Sequence, residues 1–425
     1  MYKSSRYNKF FYENNSLFLF NTLSRACLKI QEDEIDIIKK ILTNESACSD
    51  NNNIYQDILI KNGFLLNENI NEINIIEYLY NSNYFRNDEI NVVLVPTLKC
   101  NCKCPYCFEA GYKNEIHEED DYFKVLKEFA DKNFRDKKKV HISLFGGEPL
   151  LRKDELFSYL DYLTKQSAEY NYKLSVNIVT NGVLLDEEVS SRLLQYNCIS
   201  IQVTLDGNKE THNRLRTLHN NNETFDTIIK NFLTAVQYGL KNQLTTQFIL
   251  RINLFNQNVD DISSIFTLFS ENEKRRINII FRPIYTTHQF NDSNINTIFE
   301  LKKFYDAAYN NGFGVVKSTY YYQHCESDGG TNFFYILPDL TIWKCINDLS
   351  NKTANIGFIE RSGELKLYSN NVVTWYHKAN PFSDEQCRNC DYLPLCYGGC
   401  VLHYIKTGKR KCTSRDMAVI PYFYS

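Results

Sequence analysis

The sequence lacks the features that mark secreted, fibrous or membrane-spanning chains. Its longest early apolar run, Leu17-Phe18-Leu19-Phe20, is too short for a transmembrane helix or the core of a signal peptide. Glycine (16) and proline (8) are sparse over 425 residues, which excludes collagen-like repeats. Neither charge sign dominates: Lys+Arg number 48 against 51 Asp+Glu, a formal net charge of -3. A chain so balanced carries no general electrostatic footprint for nucleic acid or acidic membranes. There is no repeat of fixed period and no low-complexity linker, and the Asn-rich stretches read as compositional bias. With 43% hydrophobic and 23% charged residues the composition is globular, and the length predicts two or three domains. The expectation is a cytoplasmic protein with neither nucleic acid nor membrane as partner.

Cysteine is what the chain has in excess. Fourteen of them would be a disulfide framework in a small secreted protein. In a long chain from a reducing compartment, clustered thiols hold metal or do catalysis. The clustering is tight: Cys100, Cys102, Cys104 and Cys107 form one group, and Cys387, Cys390, Cys396, Cys400 and Cys412 another. Cys325 and Cys345 lie between them. Cys27, Cys48 and Cys198 stand alone and read as small buried hydrophobes.

Three parts follow from the periodicity. Residues 1–88 show two short strands around a turn (16–21 and 25–30), then helical stretches at 32–42, 54–61 and 73–80. This is a small winged-helix pattern, with an embellishment packed on the main domain as the competing reading. From 89 to 314, apolar strands at 91–96, 140–145, 173–179, 200–205, 244–252 and 278–283 alternate with helices at 118–134, 153–170, 187–196, 225–238 and 259–272. That order demands a parallel sheet with right-handed crossovers. The fold class expected is α/β, a partial (β/α)6 TIM-like barrel, with chemistry at the C-terminal strand ends. Residues 315–425 are rich in Cys, Tyr and turn residues, with loops or short hairpins at 347–359 and 372–383, and metal ligation is the available source of stability.

Cys100, Cys104 and Cys107 form Cys-x3-Cys-x2-Cys directly after the first barrel strand. Three thiolates on one loop can cap three irons of a cubane and leave the fourth open. A structural zinc would want a fourth ligand, for which Cys102 is the candidate. The segment Cys100-Asn101-Cys102-Lys103-Cys104-Pro105-Tyr106-Cys107 resembles the cluster loop of radical S-adenosylmethionine enzymes. Phe145-Gly146-Gly147-Glu148-Pro149 resembles that family's glycine-rich motif at the methionine amino group, where glycines permit close approach and Glu148 can accept from an ammonium. Thr180-Asn181-Gly182 ends the third strand. Gln202-Val203-Thr204-Leu205-Asp206-Gly207, followed by His212 and Arg216, resembles the fourth-strand segment of one subgroup. The resemblance implies that Gly146, Gly147, Glu148, Pro149, Thr180, Asn181, Gln202, Asp206 and Arg216 bind S-adenosylmethionine. It further implies that the cofactor chelates the open iron and yields a 5′-deoxyadenosyl radical on one-electron reduction.

The cysteine-rich end resembles the SPASM extension of peptide-modifying radical enzymes, which holds two auxiliary 4Fe–4S clusters. By that resemblance one cluster takes Cys387, Cys390, Cys396 and Cys412, and the other takes Cys345, Cys400 and Cys325. The latter lacks a fourth cysteine. Leu340 stands where the family has glycine, which puts the local hairpin in doubt. The N-terminal part resembles, more loosely, a leader-peptide recognition element. The function implied is a peptide maturase installing a thioether or carbon–carbon crosslink in a ribosomal precursor peptide. A flavodoxin- or ferredoxin-type reductant is the implied partner. The alternative is an anaerobic sulfatase-maturing enzyme, against which stand Ile346, where that family has aspartate, and the residues preceding the barrel. A zinc-stapled peptide-binding scaffold is the reading from another class. No substrate base is assigned; Tyr320, His324, Glu326 and Asp339 read as solvated or structural.

Overall fold

In Ser16–Asn21, Leu17 and Leu19 are buried while Phe18 is half-buried, the period of a strand with one covered face. It is the centre of a small antiparallel sheet. The computed structural model describes residues 1–13, 16–43, 52–112, 114–255, 257–284, 297–315, 330–378, 380–410 and 412, which divide into two compact units.

One unit joins 1–85 to 376–425. Its strands are β1 (Tyr2–Ser4), β2 (Asn8–Glu13), β3 (Ser16–Asn21), β4 (Cys27–Ile30) and β5 (Leu65–Asn67). β2, β3 and β4 form a three-stranded sheet, and β1 pairs antiparallel with β5. Helices Ile35–Leu42, Asn52–Lys61 and Glu72–Tyr84 accompany them. Leu17, Leu19, Ile30, Ile38, Ile41, Leu59, Phe64 and Leu65 make a shared core. The three helices match expectation, but five strands stand where two were expected. β1 and β5 have three residues each, too few for a period, and β2 (Asn-Lys-Phe-Phe-Tyr-Glu) does not alternate. This order does not by itself establish a winged helix.

The same unit carries short helical turns at Pro381–Ser383, Glu385–Arg388, Leu393–Cys396 and Val401–Thr407. Where a loop or hairpin was expected over 372–383, the chain is helical. Asn380 accepts from Phe382 N and Pro381 sits at the first helical position, the two features that start a helical turn. A second core spans both chain segments: Tyr7, Ile76, Tyr80 and Tyr84 pack with Phe382, Cys387 and Leu393.

The other unit, 86–316 with 329–375, is built on an eleven-stranded sheet. Six parallel strands run in chain order: β6 (Glu89–Leu94), β7 (Lys139–Leu144), β8 (Lys173–Thr180), β9 (Cys198–Leu205), β10 (Gln247–Leu254) and β11 (Ile277–Pro283). A two-residue β12 (Gly314–Val315) pairs parallel with β11. The α/β partial barrel read from the sequence is the fold observed. On β8, Leu174, Val176 and Ile178 are buried while Ser175, Asn177 and Val179 stay half-buried on the opposite face. Helices Tyr122–Asn133, Lys153–Tyr170, Glu187–Gln195, Phe225–Lys241 and Val259–Phe266 fall where expected. The helix expected over 259–272 stops at Phe266, because Ser270 starts a new turn in a capping box with Glu273. Helix Lys209–Leu215, too short for a stripe, is capped by Asn208.

The sheet continues past β6. β13 (Phe333–Ile336) lies parallel to it, and β14 (Thr341–Trp343), β15 (Asn355–Ile359) and β16 (Leu365–Leu367) follow antiparallel. The barrel sheet therefore extends beyond the division drawn at 314/315. The β13–β14 hairpin forms despite Leu340, which itself adopts φ 64°, the region favouring glycine.

Candidate functional site

The loop after β6 begins by docking against its neighbour. Gly147 N donates to Thr97 O (3.1 Å) and Glu148 N to Lys99 O (2.9 Å). A Cβ on Gly147 would lie 2.2 Å from Lys99 O, and Gly146 has φ 122° with its Cβ position 2.7 Å from Thr97 O. Both glycines are thus needed for backbone to meet backbone. This holds the strand end of β7 against the start of the cysteine loop.

Glu148 is fully buried at this seam. Its Oε1 accepts from Leu150 N (3.1 Å) and Thr180 Oγ1 (2.8 Å), and its Oε2 from Asn181 N (2.8 Å). Two carboxylate oxygens offer about four acceptor sites, so one on Oε2 is left for a ligand N–H. Burial pushes the carboxyl up to about 7, against the pull of Asn181, Thr180 and Leu150. Pro149 opens the following turn and is buried. Asn181 reaches back to the cysteine loop: its Nδ2 donates to Asn101 Oδ1 (2.6 Å) and Cys100 Sγ (3.5 Å).

Cys100 Sγ also accepts from Cys102 N (3.4 Å). The Cys100 thiol is drawn down to about 6, chiefly by hydrogen bonding from the Cys102 thiol, with Asn181 and the Arg216 charge adding to it. Burial pushes Cys104 up to about 11 and Cys107 upward. Cys102 is buried, its thiol held protonated, and its backbone forms a bridge with Leu218. That is the setting of a loop anchor. Beside Cys107, Glu109 is buried with Oε1 unpartnered among the described residues, and burial raises its carboxyl to about 8.

A second network fixes the far side of the loop. Tyr106, between Cys104 and Cys107, donates its hydroxyl to Asp206 Oδ1. Arg216 Nε donates to Asp206 Oδ2 (3.1 Å) and its NH2 to the Tyr106 hydroxyl (2.9 Å), while Asn253 Nδ2 donates to Asp206 Oδ1 (2.9 Å). The Arg216 charge keeps buried Asp206 ionised, below its usual range despite desolvation. His212 is a strut: its Nδ1 accepts from Asp206 N (3.2 Å), so Nε2 carries the hydrogen and donates to Thr224 Oγ1 (3.0 Å). Thr224 passes its own hydrogen to Arg216 O (2.5 Å). Gln202 and Thr204 are buried on the face of β9 that ends at Asp206.

The sequence offers Tyr106, with Pro105 and Phe108, as an apolar shell beside the cysteines, whereas its hydroxyl joins a charge network; Asn253 was missed by motif reading. Also missed was a polar lane across β7 and β8. His141 Nδ1 accepts from Ser175 Oγ (2.8 Å), and Ser143 Oγ donates to Asn177 Oδ1 (2.7 Å) and accepts from His141 Nε2 (3.3 Å). These residues alternate with core positions, which is the only mark they leave in the sequence.

Of the remaining cysteines, Cys345 is buried after β14, beside Lys344, whose Nζ donates to Gly330 O (2.7 Å) and Phe333 O (2.8 Å). Cys400 caps helix Val401–Thr407, accepting from His403 N (3.4 Å). Cys325 lies outside the described residues. Cys396 and Cys412 act on the Cys387 thiol, and Cys390 N donates to Cys387 O (3.0 Å). Burial pushes the Cys387 thiol up to about 12, with Asp384, Cys396 and Cys412 adding and Arg410 opposing. Cys198 is buried, and burial raises its thiol to about 12, as a lone hydrophobe-like cysteine should be; Cys27 is half-buried. The described cysteines are all free thiols. Among the described residues no three His, Cys, Asp or Glu side chains converge as they would on a single ion. Among the described residues no helix is long and apolar enough to cross a membrane.

Residues 94–269 match the Radical SAM superfamily. A cysteine-type anaerobic sulfatase-maturating enzyme of Clostridium novyi is 23% identical over 71% of this chain and 84% of its own. A radical SAM cyclopropyl synthase of Paramaledivibacter caminithermalis is 22% identical over 92% and 87%. Among solved structures, anSMEcpe with bound AdoMet and Cp18Cys peptide has a TM-score of 0.58 at 18% identity, covering 79% of this chain and 96% of that one. Streptococcus suis SuiB bound to precursor peptide SuiA has 0.51 at 15%, covering 98% and 100%. The cysteine-rich C-terminal part fits the SPASM type of these neighbours.

Proposed function

The chain carries a radical S-adenosylmethionine domain over residues 94–269, and from that premise we propose that it is a maturase that joins two side chains of a ribosomally made precursor peptide, forming a thioether in the first instance. The observation that carries this reading is the hydrogen-bonded array Cys100–Asn181–Glu148–Thr180 at the C-terminal ends of adjacent parallel strands. Cys100, Cys104 and Cys107 hold a 4Fe–4S cluster there. When bound, the cluster and S-adenosylmethionine supply a carbon-centred radical through one-electron cleavage of the sulfonium. The remaining Oε2 site of Glu148 accepts an N–H of the ligand's amino group, while Gly146, Gly147 and Pro149 keep that carboxylate at the seam. Asn181 orients the Cys100 sulfur. Tyr106, Asp206 and Arg216 hold the loop in a preorganised charge network, and Gln202 lines the neighbouring strand end. The polar lane His141–Ser175–Ser143–Asn177 offers donors and acceptors to a peptide backbone.

Two auxiliary clusters complete the reading, one on Cys387, Cys390, Cys396 and Cys412, the other on Cys325, Cys345 and Cys400. The second would be held by three cysteines, and a substrate thiolate, a strong soft donor, would suit its remaining position as an alternative to a fourth protein ligand. A substrate sulfur held there would favour the thioether. A flavodoxin- or ferredoxin-type protein is the reductant. Residues 1–88 recognise the leader, with the edges of the β2–β3–β4 sheet available for strand addition; 89–314 and 315–425 act as the barrel and SPASM parts. A carbon–carbon bond is the second reading, favoured by the cyclopropyl synthase, whose likeness runs over 92% of this chain.

Co-expression with a Cys-containing precursor encoded beside this chain tests the proposal. Loss of two hydrogens together with loss of one alkylatable thiol is the thioether. The same loss with every thiol still alkylatable is the carbon–carbon bond. Exchange of a cysteine's sulfur and two hydrogens for one oxygen is formylglycine, and would replace the proposal with sulfatase maturation.

A further inference from the structure

Tyr7 is fully buried, yet its hydroxyl has no hydrogen-bond partner among the described residues. Such a donor is costly to bury unless something meets it. Its surroundings are specific. Tyr7 belongs to the buried cluster that contains Cys387, Leu393 and Phe382. The residues beside it grip the chain around Cys390. Arg6 donates to Arg388 O (3.1 Å), Lys9 pairs with Asp391, and Thr22 Oγ1 donates to Asp391 O (2.6 Å). Thr22 N in turn donates to Tyr7 O (3.0 Å), locking the tyrosine to the same clamp. Burial raises the phenol to about 12; Arg6 opposes, while Glu72, Asp391 and Cys390 add to the rise. Cys390 N donates to Cys387 O (3.0 Å), which ties Cys390 to the cysteine in the Tyr7 cluster. Lys9 packs over Tyr392 (5.5 Å) and Phe20 over Leu395, so the cysteine segment cannot shift away from the hairpin.

We propose that the Tyr7 hydroxyl donates a hydrogen bond to the sulfur of the auxiliary cluster held by Cys387, Cys390, Cys396 and Cys412, and so sets that cluster's reduction potential. The proposal rests on the assignment of those four cysteines made above. The fit is chemical: Cys387 lies in an aromatic shell of Tyr7, Tyr80, Tyr84 and Phe382, Cys396 and Cys412 act on its thiol, and Tyr7 brings to that shell a hydroxyl with no partner among the described residues. Reduction adds negative charge to the cluster, and a donor to its sulfur stabilises the reduced form. An N-terminal residue thereby tunes a cofactor whose ligands lie nearly four hundred residues away in the chain.

The test uses the full chain, reconstituted with iron and sulfide under nitrogen, with Cys100→Ala/Cys104→Ala to silence the barrel cluster. Tyr7→Phe should keep its iron. One auxiliary signal should become harder to reduce by about tenfold in equilibrium constant, about 59 mV for a one-electron couple. Paramagnetic resonance in D2O should lose one strongly coupled exchangeable deuteron, which a merely structural tyrosine would not contribute. Full iron with an unchanged midpoint and unchanged deuteron coupling overturns the proposal. If Tyr7→Phe loses iron, 3,5-difluorotyrosine at position 7 decides: a stronger donor of nearly the same shape must raise the midpoint, and no rise overturns the proposal. Cys390→Ala separates the two levels. Retention of full iron there defeats the cluster assignment itself, whatever Tyr7 does.

Discussion

A carboxyl group with three internal donors and no access to water is poised between two states. Glu148 is that group. Burial raises it to about 7, above its ordinary 4.5, so folding favours its protonated form. The stability this contributes is full below the ordinary value and is lost as pH rises through about 7. Between pH 5 and 8 the protein should lose roughly 3 kcal/mol that Glu148→Gln does not lose, read from urea midpoints. Parallel curves for the two proteins would show that Glu148 ionises without cost. At the cysteines the expectation is a clean split. Cys100→Ala, Cys104→Ala or Cys107→Ala should abolish deoxyadenosine formation and leave about eight irons per chain. Cys102→Ala, at a loop anchor, should keep activity; loss of the barrel cluster there would move the ligand assignment. That Cys100, Glu148 and Asp206 would meet at the strand ends was legible because the motifs that carry them have particular residue types at particular spacings. Tyr106 was legible only as an aromatic beside the cysteines, and Asn253 and His141 were not legible, since an amide or a histidine on a strand is equally at home in any core.

At the scale of elements, the seam between the β6 and β7 loops makes a sharp demand on side-chain size. Gly147→Ala would place a Cβ 2.2 Å from a backbone oxygen that cannot rotate away. Gly147→Ala should therefore lose the barrel cluster, about four irons per chain, and drop the melting temperature by several degrees. Gly111→Ala, whose Cβ meets nothing within 4 Å, should change neither. Equal iron contents in the two variants would remove the seam from the site's support. The six barrel strands were legible because each runs six to eight residues with a covered face. β13 to β16 were not, because two to four alternations cannot be told from loop, and only pairing with β6 makes them strands. Helix Lys209–Leu215 escaped for the same reason of length.

At the scale of the molecule, the division by sequence and the division by packing differ, and the difference has a consequence. Sequence periodicity separates 1–88 from the cysteine-rich end, since nothing in one segment announces contact with another nearly three hundred residues on. Packing joins them: Tyr7, Ile76, Tyr80 and Tyr84 share a core with Phe382, Cys387 and Leu393, and Phe20 packs on Leu395. Each buried apolar side chain of that size is worth roughly 1.5–3 kcal/mol. Deleting 1–88 thus does more than remove the proposed leader-binding element. It uncovers the apolar wall behind Cys387 and removes the clamp on Asp391. The truncated chain should lose about four irons and become prone to aggregation, while the barrel core, built from 86–316 and 329–375, still supports uncoupled deoxyadenosine formation. Iron content and deoxyadenosine yield of the purified truncation check this. A full iron complement would show that the Cys387 segment folds without its N-terminal cover. Leader recognition therefore has to be read in the intact chain. Hydrogen exchange across β2, β3 and β4 should slow when a leader-bearing peptide adds to the sheet edge and should not respond to the core peptide alone. Unaltered exchange over 8–30 at saturating leader would leave those residues as a wall of the cysteine-rich unit and nothing more.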